Sequence, residues 1–162
     1  MVNPEVNQFV HSPDRVEIQP EFQIEPAVDS DYQELYAALV DSFGENLETS
    51  IPEFKVWSQS KNNPNLRTWI IKENQRVQAF LTLGLDPKLA KSEIRTIGVV
   101  SKMRGKGYAK ALIQTALNFV HDSGIPACEL TVAAANLDAL NLYRKFGFQV
   151  IEKYDCYQWR KV

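Results

Sequence analysis

Between Ile97 and Ala109 the chain reads Ile-Gly-Val-Val-Ser-Lys-Met-Arg-Gly-Lys-Gly-Tyr-Ala, an apolar run that turns through Gly105 and Gly107, with Arg104 and Lys106 beside them, into a helical pattern. Backbone N–H groups at the start of a helix have no intrahelical acceptor. Together with the helix dipole they form an anion site that a side chain larger than glycine would obstruct. The ligand expected at this turn carries phosphate. A nucleotide-hydrolysing loop would follow its glycines with Lys-Ser or Lys-Thr to hold phosphate and magnesium, whereas here Lys106 is followed by Gly107. A dinucleotide fingerprint needs a third small residue, and the frame that starts at Gly105 puts Lys110 there.

A second constellation lies downstream. Asn136 is placed to cap a helix, and Tyr143 follows it by two helical turns, so both side chains lie on nearly the same face. The two blocks together resemble motifs A and B of the GCN5-related N-acetyltransferases. The motif A pattern, Gln/Arg-x-x-Gly-x-Gly/Ala, is met by Lys102-Met103-Arg104-Gly105-Lys106-Gly107, where lysine keeps the charge of the first position without the planar fork. Motif B is similar to Asn136 through Phe148, with its Asn, its Tyr and its closing Gly-Phe. The resemblance runs clearly from about Ile94 to Phe148 and, in element order, back to about Phe22.

The resemblance implies an α/β (α+β) acyl-CoA N-acyltransferase fold, a mixed central sheet with one bulged strand splayed from its neighbour and helices on its flanks. It implies acetyl-CoA as co-substrate, no metal, and direct attack by a primary amine in a ternary complex. The diphosphate would meet Lys102, Arg104, Gly105, Lys106, Gly107, Tyr108 and Ala109. Backbone groups of Ile97 and Val99 would pair with the pantetheine amides as a missing strand does, with Asn136 and Tyr143 opposite. Tyr143 stands where the family has its general acid. The Val99 N–H is expected to receive the oxyanion, because a fixed donor in a dry cleft needs no reorganisation. Glu93 occupies the place of the glutamate base in histone-acetylating relatives. A carboxylate of ordinary pKa is a poor match for an amine, so Glu93 would need burial or a water relay. Glu129 is the reserve.

The acceptor, small molecule or protein amine, is expected between Phe43-Gly44-Glu45-Asn46, the Glu93 strand and Tyr154-Asp155-Cys156-Tyr157, whose acidic members favour a cationic amine. An alternative of another class is a non-catalytic acyl-CoA-binding or regulatory domain that kept the cradle and lost the acceptor site. A bare protein-interaction module would bind no coenzyme A. A homodimer is left open.

These residues need a frame. A short strand is expected at Phe22–Ala27, then a helix capped by Asp29 or Ser30, with Tyr32, Leu35, Tyr36, Leu39, Val40 and Phe43 at helical spacing and Gly44 at its end. Pro52 suits the first turn of a second helix. Thr68–Lys72, Val77–Leu85 and Glu93–Val100 read as a meander turned at Asn74-Gln75. Gly98, inside the third strand, marks a bulge or a close approach. Ala109, Leu112, Ile113, Ala116, Leu117 and Val120 form a helical core stripe, ended by Gly124 and Pro126. Cys128, Leu130 and Val132 then alternate with Glu129, Thr131 and Ala133 along a strand.

With 44% hydrophobic residues, 162 residues can enclose one sizeable core, which gives a domain over 21–162. Four of the eight prolines fall within the first 26 residues, so 1–20 reads as an arm or linker. A net charge of -2 argues against a nucleic-acid surface. No apolar run has the length of a membrane span and the start lacks a secretion signal, which leads to the expectation of a cytoplasmic protein with no membrane partner. Cys128 and Cys156 are too few for a metal quartet and read as reduced thiols. His121 suits the end of its helix, and His11 falls in the arm.

Overall fold

The computed structural model describes residues 5–11, 22–44 and 51–155. Seven strands form one open sheet in the order β2-β3-β4-β5-β6-β1-β7. They are β1 (Glu5–His11), β2 (Ile24–Pro26), β3 (Leu66–Glu73), β4 (Arg76–Asp86), β5 (Lys91–Val99), β6 (Cys128–Ala133) and β7 (Gln149–Asp155). Four helices flank it: α1 (Tyr32–Phe43), α2 (Phe54–Trp57, continued by a 3-10 turn), α3 (Tyr108–Asp122) and α4 (Leu137–Lys145). Among the described strands β5 and β6 run parallel, and every other pair of neighbours is antiparallel. The mixed, helix-flanked sheet expected from the sequence is therefore the one observed.

Strand alternation divides the core into two layers. On one face Leu35, Ala38 and Leu39 of α1 pack on Ile70, Val77 and Phe80. On the other, Leu112, Ile113, Ala116, Leu117 and Val120 of α3, all fully buried, pack with Leu140 and Tyr143 of α4 on Ile71, Leu81, Leu83, Ile94 and Leu130. Each buried Leu, Ile, Val or Phe among them contributes roughly 1.5–3 kcal/mol, so both helix layers are held mainly by burial. The stripe read from the α3 sequence is the face that packs. The first helix begins differently from expectation. Neither Asp29 nor Ser30 caps it; both lie in a 3-10 turn, Asp29–Asp31, where the Asp31 carboxylate accepts the Val28 amide at 2.9 Å.

Two features bear on the site. The β5 and β6 ladder spans only Ser92–Ile94 and Cys128–Leu130, although both strands continue for several residues, so they part beyond Ile94 and Leu130. The bulge in β5 falls at Arg95 rather than Gly98: Thr82 faces Thr96 and Leu83 faces Ile94, which leaves Arg95 as the extra residue. Gly98 instead serves a close approach. A Cβ there would lie 2.6 Å from the Phe80 ring and 2.9 Å from Ser42 Oγ.

The stretch expected to be an arm supplies, at Glu5–His11, the strand between β6 and β7. Pro4 and Pro13, which read as linker, lie outside the described residues. No helix among the described residues is long and apolar enough to cross a membrane.

Candidate active site

The turn after β5 leaves a run of amides without a protein acceptor among the described residues. A 3-10 turn, Ser101–Met103, leads to Gly105 at φ 79° and Gly107 at φ 89°, the left-handed region that glycine enters without strain. Among the described residues, the first backbone amide after this turn with a protein acceptor is that of Ala111, bonded to Gly107 O at 3.1 Å. The amides before it, from Gly105 onward, are the unpaired donors expected of an anion cradle. Asp41, at the end of α1, fixes the turn by accepting both the Ser101 amide (2.6 Å) and the Ser101 hydroxyl (3.1 Å). The motif gives no sign of Asp41, because it lies 60 residues upstream.

The basic and aromatic residues of the turn divide. Lys102 and Lys106 are exposed, with Lys106 Nζ 3.4 Å from Met103 Sδ. Arg104, expected at the diphosphate, folds back, its Nη2 donating to Ser42 O (3.1 Å) and its Nε to Val99 O (3.4 Å). Tyr108 presents only its backbone to a ligand. Its ring is buried edge-on against Phe22, and its hydroxyl donates to the Glu73 carboxylate. Ala109 reaches the cleft described next.

Where β5 and β6 part, a cleft of about 570 Å³ opens, lined among others by Ile97, Val99, Ala109, Thr131, Asn136 and Tyr143. Val100 donates its amide to Gln78 O at 2.9 Å, and Val99 faces Ala79. By the alternation of antiparallel ladders, Val99 and Ala79 are then a non-hydrogen-bonded pair, and so are Ile97 and Leu81. The N–H and C=O groups of Ile97 and Val99 therefore turn away from β4 and toward the open edge. Both residues also line the cleft.

Across the cleft, Asn136 caps α4, accepting the Ala139 amide on Oδ1 at 3.2 Å. Tyr143, two turns on, is 6% exposed and packs edge-on with Phe148. Burial pushes its phenol up to about 12. Leu39, Phe43, Ile51, Pro52 and Trp57 wall the cleft on the α1 side.

Glu93 is not brought into this cleft. It lines a neighbouring hollow of about 560 Å³, with its side chain 48% exposed and paired with Arg95 at 3.7 Å. Glu129 lines the same hollow and is engaged on both oxygens, by Lys91 (2.9 Å) and Gln8 (3.2 Å). Arg95 borders both cavities. Cys128 is fully buried, and burial raises its thiol to about 11, which makes it an inert core residue. His121 is exposed at the end of α3, 3.2 Å from Asp122. Of the expected acceptor wall, Phe43 lines the cleft, whereas Glu45, Asn46, Cys156 and Tyr157 lie outside the described residues. Among the described residues no three His, Cys, Asp or Glu side chains converge to hold a metal ion.

Comparison with known proteins gives consistent results. The family model described as Acetyltransferase (GNAT) family matches residues 32–148. N-acetyltransferase 8B of Homo sapiens is 28% identical over 100 residues, covering 58% of this chain and 43% of that one. The chain spans less than half the length of the first curated relatives it matches. A GCN5-related N-acetyltransferase from Sphaerobacter thermophilus superposes with a TM-score of 0.75 at 21% identity, over 94% of this chain and 50% of that one. The PaiA N-acetyltransferase from Thermoplasma acidophilum, solved in complex with coenzyme A, gives 0.65 at 18% identity, over 80% and 90% of the two chains. At these identities the structural matches establish the fold.

Proposed function

From the premise that this chain belongs to the acetyltransferase (GNAT) family, we propose that it transfers the acetyl group of acetyl-CoA to a primary amine by direct attack. The observation that carries this reading is a juxtaposition. Ile97 and Val99 on the open β5 edge line one cleft with Tyr143, and the turn whose amides from Gly105 onward lack protein acceptors among the described residues leads directly into Ala109, which lines the same cleft.

In this reading the cradle amides and the exposed Lys102 and Lys106 hold the diphosphate, while Asn136 and the Ile97 and Val99 backbone align the pantetheine. A neutral amine attacks the thioester carbonyl. The Val99 N–H takes the developing oxyanion, the C–S bond breaks, and the sulfur leaves as a thiolate. Tyr143, near 12, is protonated at any working pH. Full proton transfer from it to a thiolate whose acid titrates near 8.5 would be uphill by about 5 kcal/mol, so Tyr143 acts as a hydrogen-bond donor to the sulfur. The proton released by the amine goes to solvent. Glu93, outside the cleft and half exposed, takes part only through water across the Arg95 ledge.

Isothermal titration with acetyl-CoA, followed by thiol-release assays over an amine panel, tests the reading. Saturable binding with turnover is expected, and Tyr143→Phe should lower kcat tenfold or more with less than a threefold change in acetyl-CoA Kd. Binding without turnover on any amine would favour a regulatory acyl-CoA-binding domain. No binding would overturn both.

A further inference from the structure

Among the described residues that line the cleft, Arg95 is the one charged side chain. The rest of the described lining is apolar or neutral. Arg95 is held there by two local departures from regular sheet. The bulge in β5 makes it the extra residue of its strand. Gly84, on the neighbouring strand β4, leaves room for its stem: a Cβ at Gly84 would lie 2.4 Å from Arg95 Nε and 3.1 Å from Cδ. A glycine inside a strand is unfavourable in itself, and here the space it leaves is filled by the arginine.

The guanidinium is under-used by the protein. It is 57% exposed, and its ionic partner among the described residues is Glu93 at 3.7 Å, too long for a bidentate fork. It is also on the wrong side of the strand for the diphosphate. Arg95 precedes Val99 by four residues, about 13 Å of strand, and the cradle lies beyond Val99. An anion that meets Arg95 therefore belongs to the acceptor.

Given the N-acetyltransferase reading, on which this inference rests, we propose that the acceptor is a small amino-acid-like molecule: an amine with a carboxylate and an apolar body. The carboxylate is received by Arg95 in place of the loose Glu93 contact. The apolar body lies against Phe43, Ile51, Pro52 and Trp57, and the amine points to the Val99 edge. Of the carboxylates behind the expected cation preference, Glu93 lies in the neighbouring hollow, while Glu45 and the Asp155 side chain lie outside the described residues. The arginine fork matches a carboxylate in a way that a lysine point charge does not.

The test uses L-phenylalanine, L-phenylalaninamide and phenethylamine as acceptors, with acetyl-CoA binding measured separately by titration. Wild type should show kcat/KM at least tenfold higher for phenylalanine than for either uncharged-end analogue. Arg95→Met should reduce that ratio at least tenfold, chiefly through KM, and Arg95→Lys should recover part of it. Gly84→Ala, which displaces the Arg95 stem, should lower the same ratio with Arg95 still present, so a misfolded Arg95 variant does not decide the matter. Equal kcat/KM for the three acceptors, an unchanged ratio in both variants, or acetylation of other amines but none of these three, would overturn the carboxylate subsite and leave the acetyltransferase intact. Loss of acetyl-CoA binding in wild type would overturn the underlying reading and this inference with it.

Discussion

The hydroxyl of Tyr108 donates to the carboxylate of Glu73, which ties the first residue of α3 to the end of β3. The cradle is thereby moored from two sides, by this bond and by Asp41 on Ser101. Tyr108→Phe keeps the ring against Phe22 and removes only the tie. It should cost about 1–2 kcal/mol in urea unfolding and weaken acetyl-CoA binding several-fold. Unchanged binding beside lowered stability would show that the mooring serves the fold alone.

Two buried phenols make the protein sensitive to alkali. Burial raises Tyr143 to about 12, and burial followed by the hydrogen bond and charge of Glu73 raises Tyr108 to about 12. Each folded-state value lies above the unfolded value near 10, so the folded protein holds protons that the unfolded chain releases, and stability must fall as pH rises between about 10 and 12. For Tyr143 the full loss is roughly 3 kcal/mol. Urea midpoints measured from pH 8 to 11 should be flat and then decline from about pH 10. The Tyr108→Phe, Tyr143→Phe double variant should show a shallower decline, and an equal slope in both proteins would contradict the assignment.

Much of this architecture was legible from local pattern. Alternation from Thr68 to Val100 gave the meander, and the 3.6-residue stripe of Leu112, Ile113, Ala116, Leu117 and Val120 gave the buried face of α3. The left-handed glycines Gly105 and Gly107, and the cleft position of Ile97, Val99, Asn136 and Tyr143, follow a motif or a fixed helical spacing that can be read locally. The features missed depend on partners remote in sequence. β1 faces residues more than 100 positions away, so nothing local distinguishes it from a proline-flanked linker. Arg104 bonds to a carbonyl on α1, and Asp41 reaches Ser101 from 60 residues upstream. Gly98 left a bulge and a close approach open and has the second; the bulge falls on Arg95, because an extra residue in a ladder depends on the partner strand's register and can fall on any side chain. One usable signal was overlooked. An isolated glycine in a strand, Gly84, marks where something must come close, and that something is Arg95.

The place of β1 gives a third prediction. β6 has β1 as its partner on the side away from β5, and among the described strands β1 is the one neighbour of β7 in the sheet. Deleting Met1–His11 leaves one edge of β6 open and β7 without a ladder, and unpaired edges invite association. The truncated protein should melt at least 5 °C lower and self-associate in sedimentation runs, and a peptide of residues 4–12 added in excess should reverse both. A truncation that stays monomeric with an unchanged Tm would mean that the strand is dispensable.

The conformation of Gly107 gives a fourth. At φ 89° an alanine pays about 1–2 kcal/mol whatever the space around it, and the nearest side-chain atom to a new Cβ, on Phe22, is 3.8 Å away, an ordinary contact. The defect is therefore one of backbone shape. Gly107→Ala should weaken acetyl-CoA binding about tenfold as the turn relaxes and its amides swing off line. Gly124→Ala carries a comparable strain at φ 70°, at the far end of α3, and should lower stability without that change in affinity.

Asn136 has two tasks that chemistry can separate. Its Oδ1 caps α4 through the Ala139 amide, while its side chain borders the cleft opposite Val99. Serine is as good a cap as asparagine but lacks the carboxamide N–H donors and does not reach as far. Asn136→Ala should lose about 1 kcal/mol of stability and also weaken acetyl-CoA binding, whereas Asn136→Ser should keep the stability and still bind several-fold more weakly. If the serine variant bound acetyl-CoA as wild type does, the residue would be a cap and nothing else. In that case the alignment of the pantetheine would fall to the Ile97 and Val99 backbone alone, which no side-chain substitution removes. If serine loses affinity while the helix stays intact, the amide group itself contacts the ligand, and the two faces of the cleft, β5 backbone and α4 side chain, act on it together.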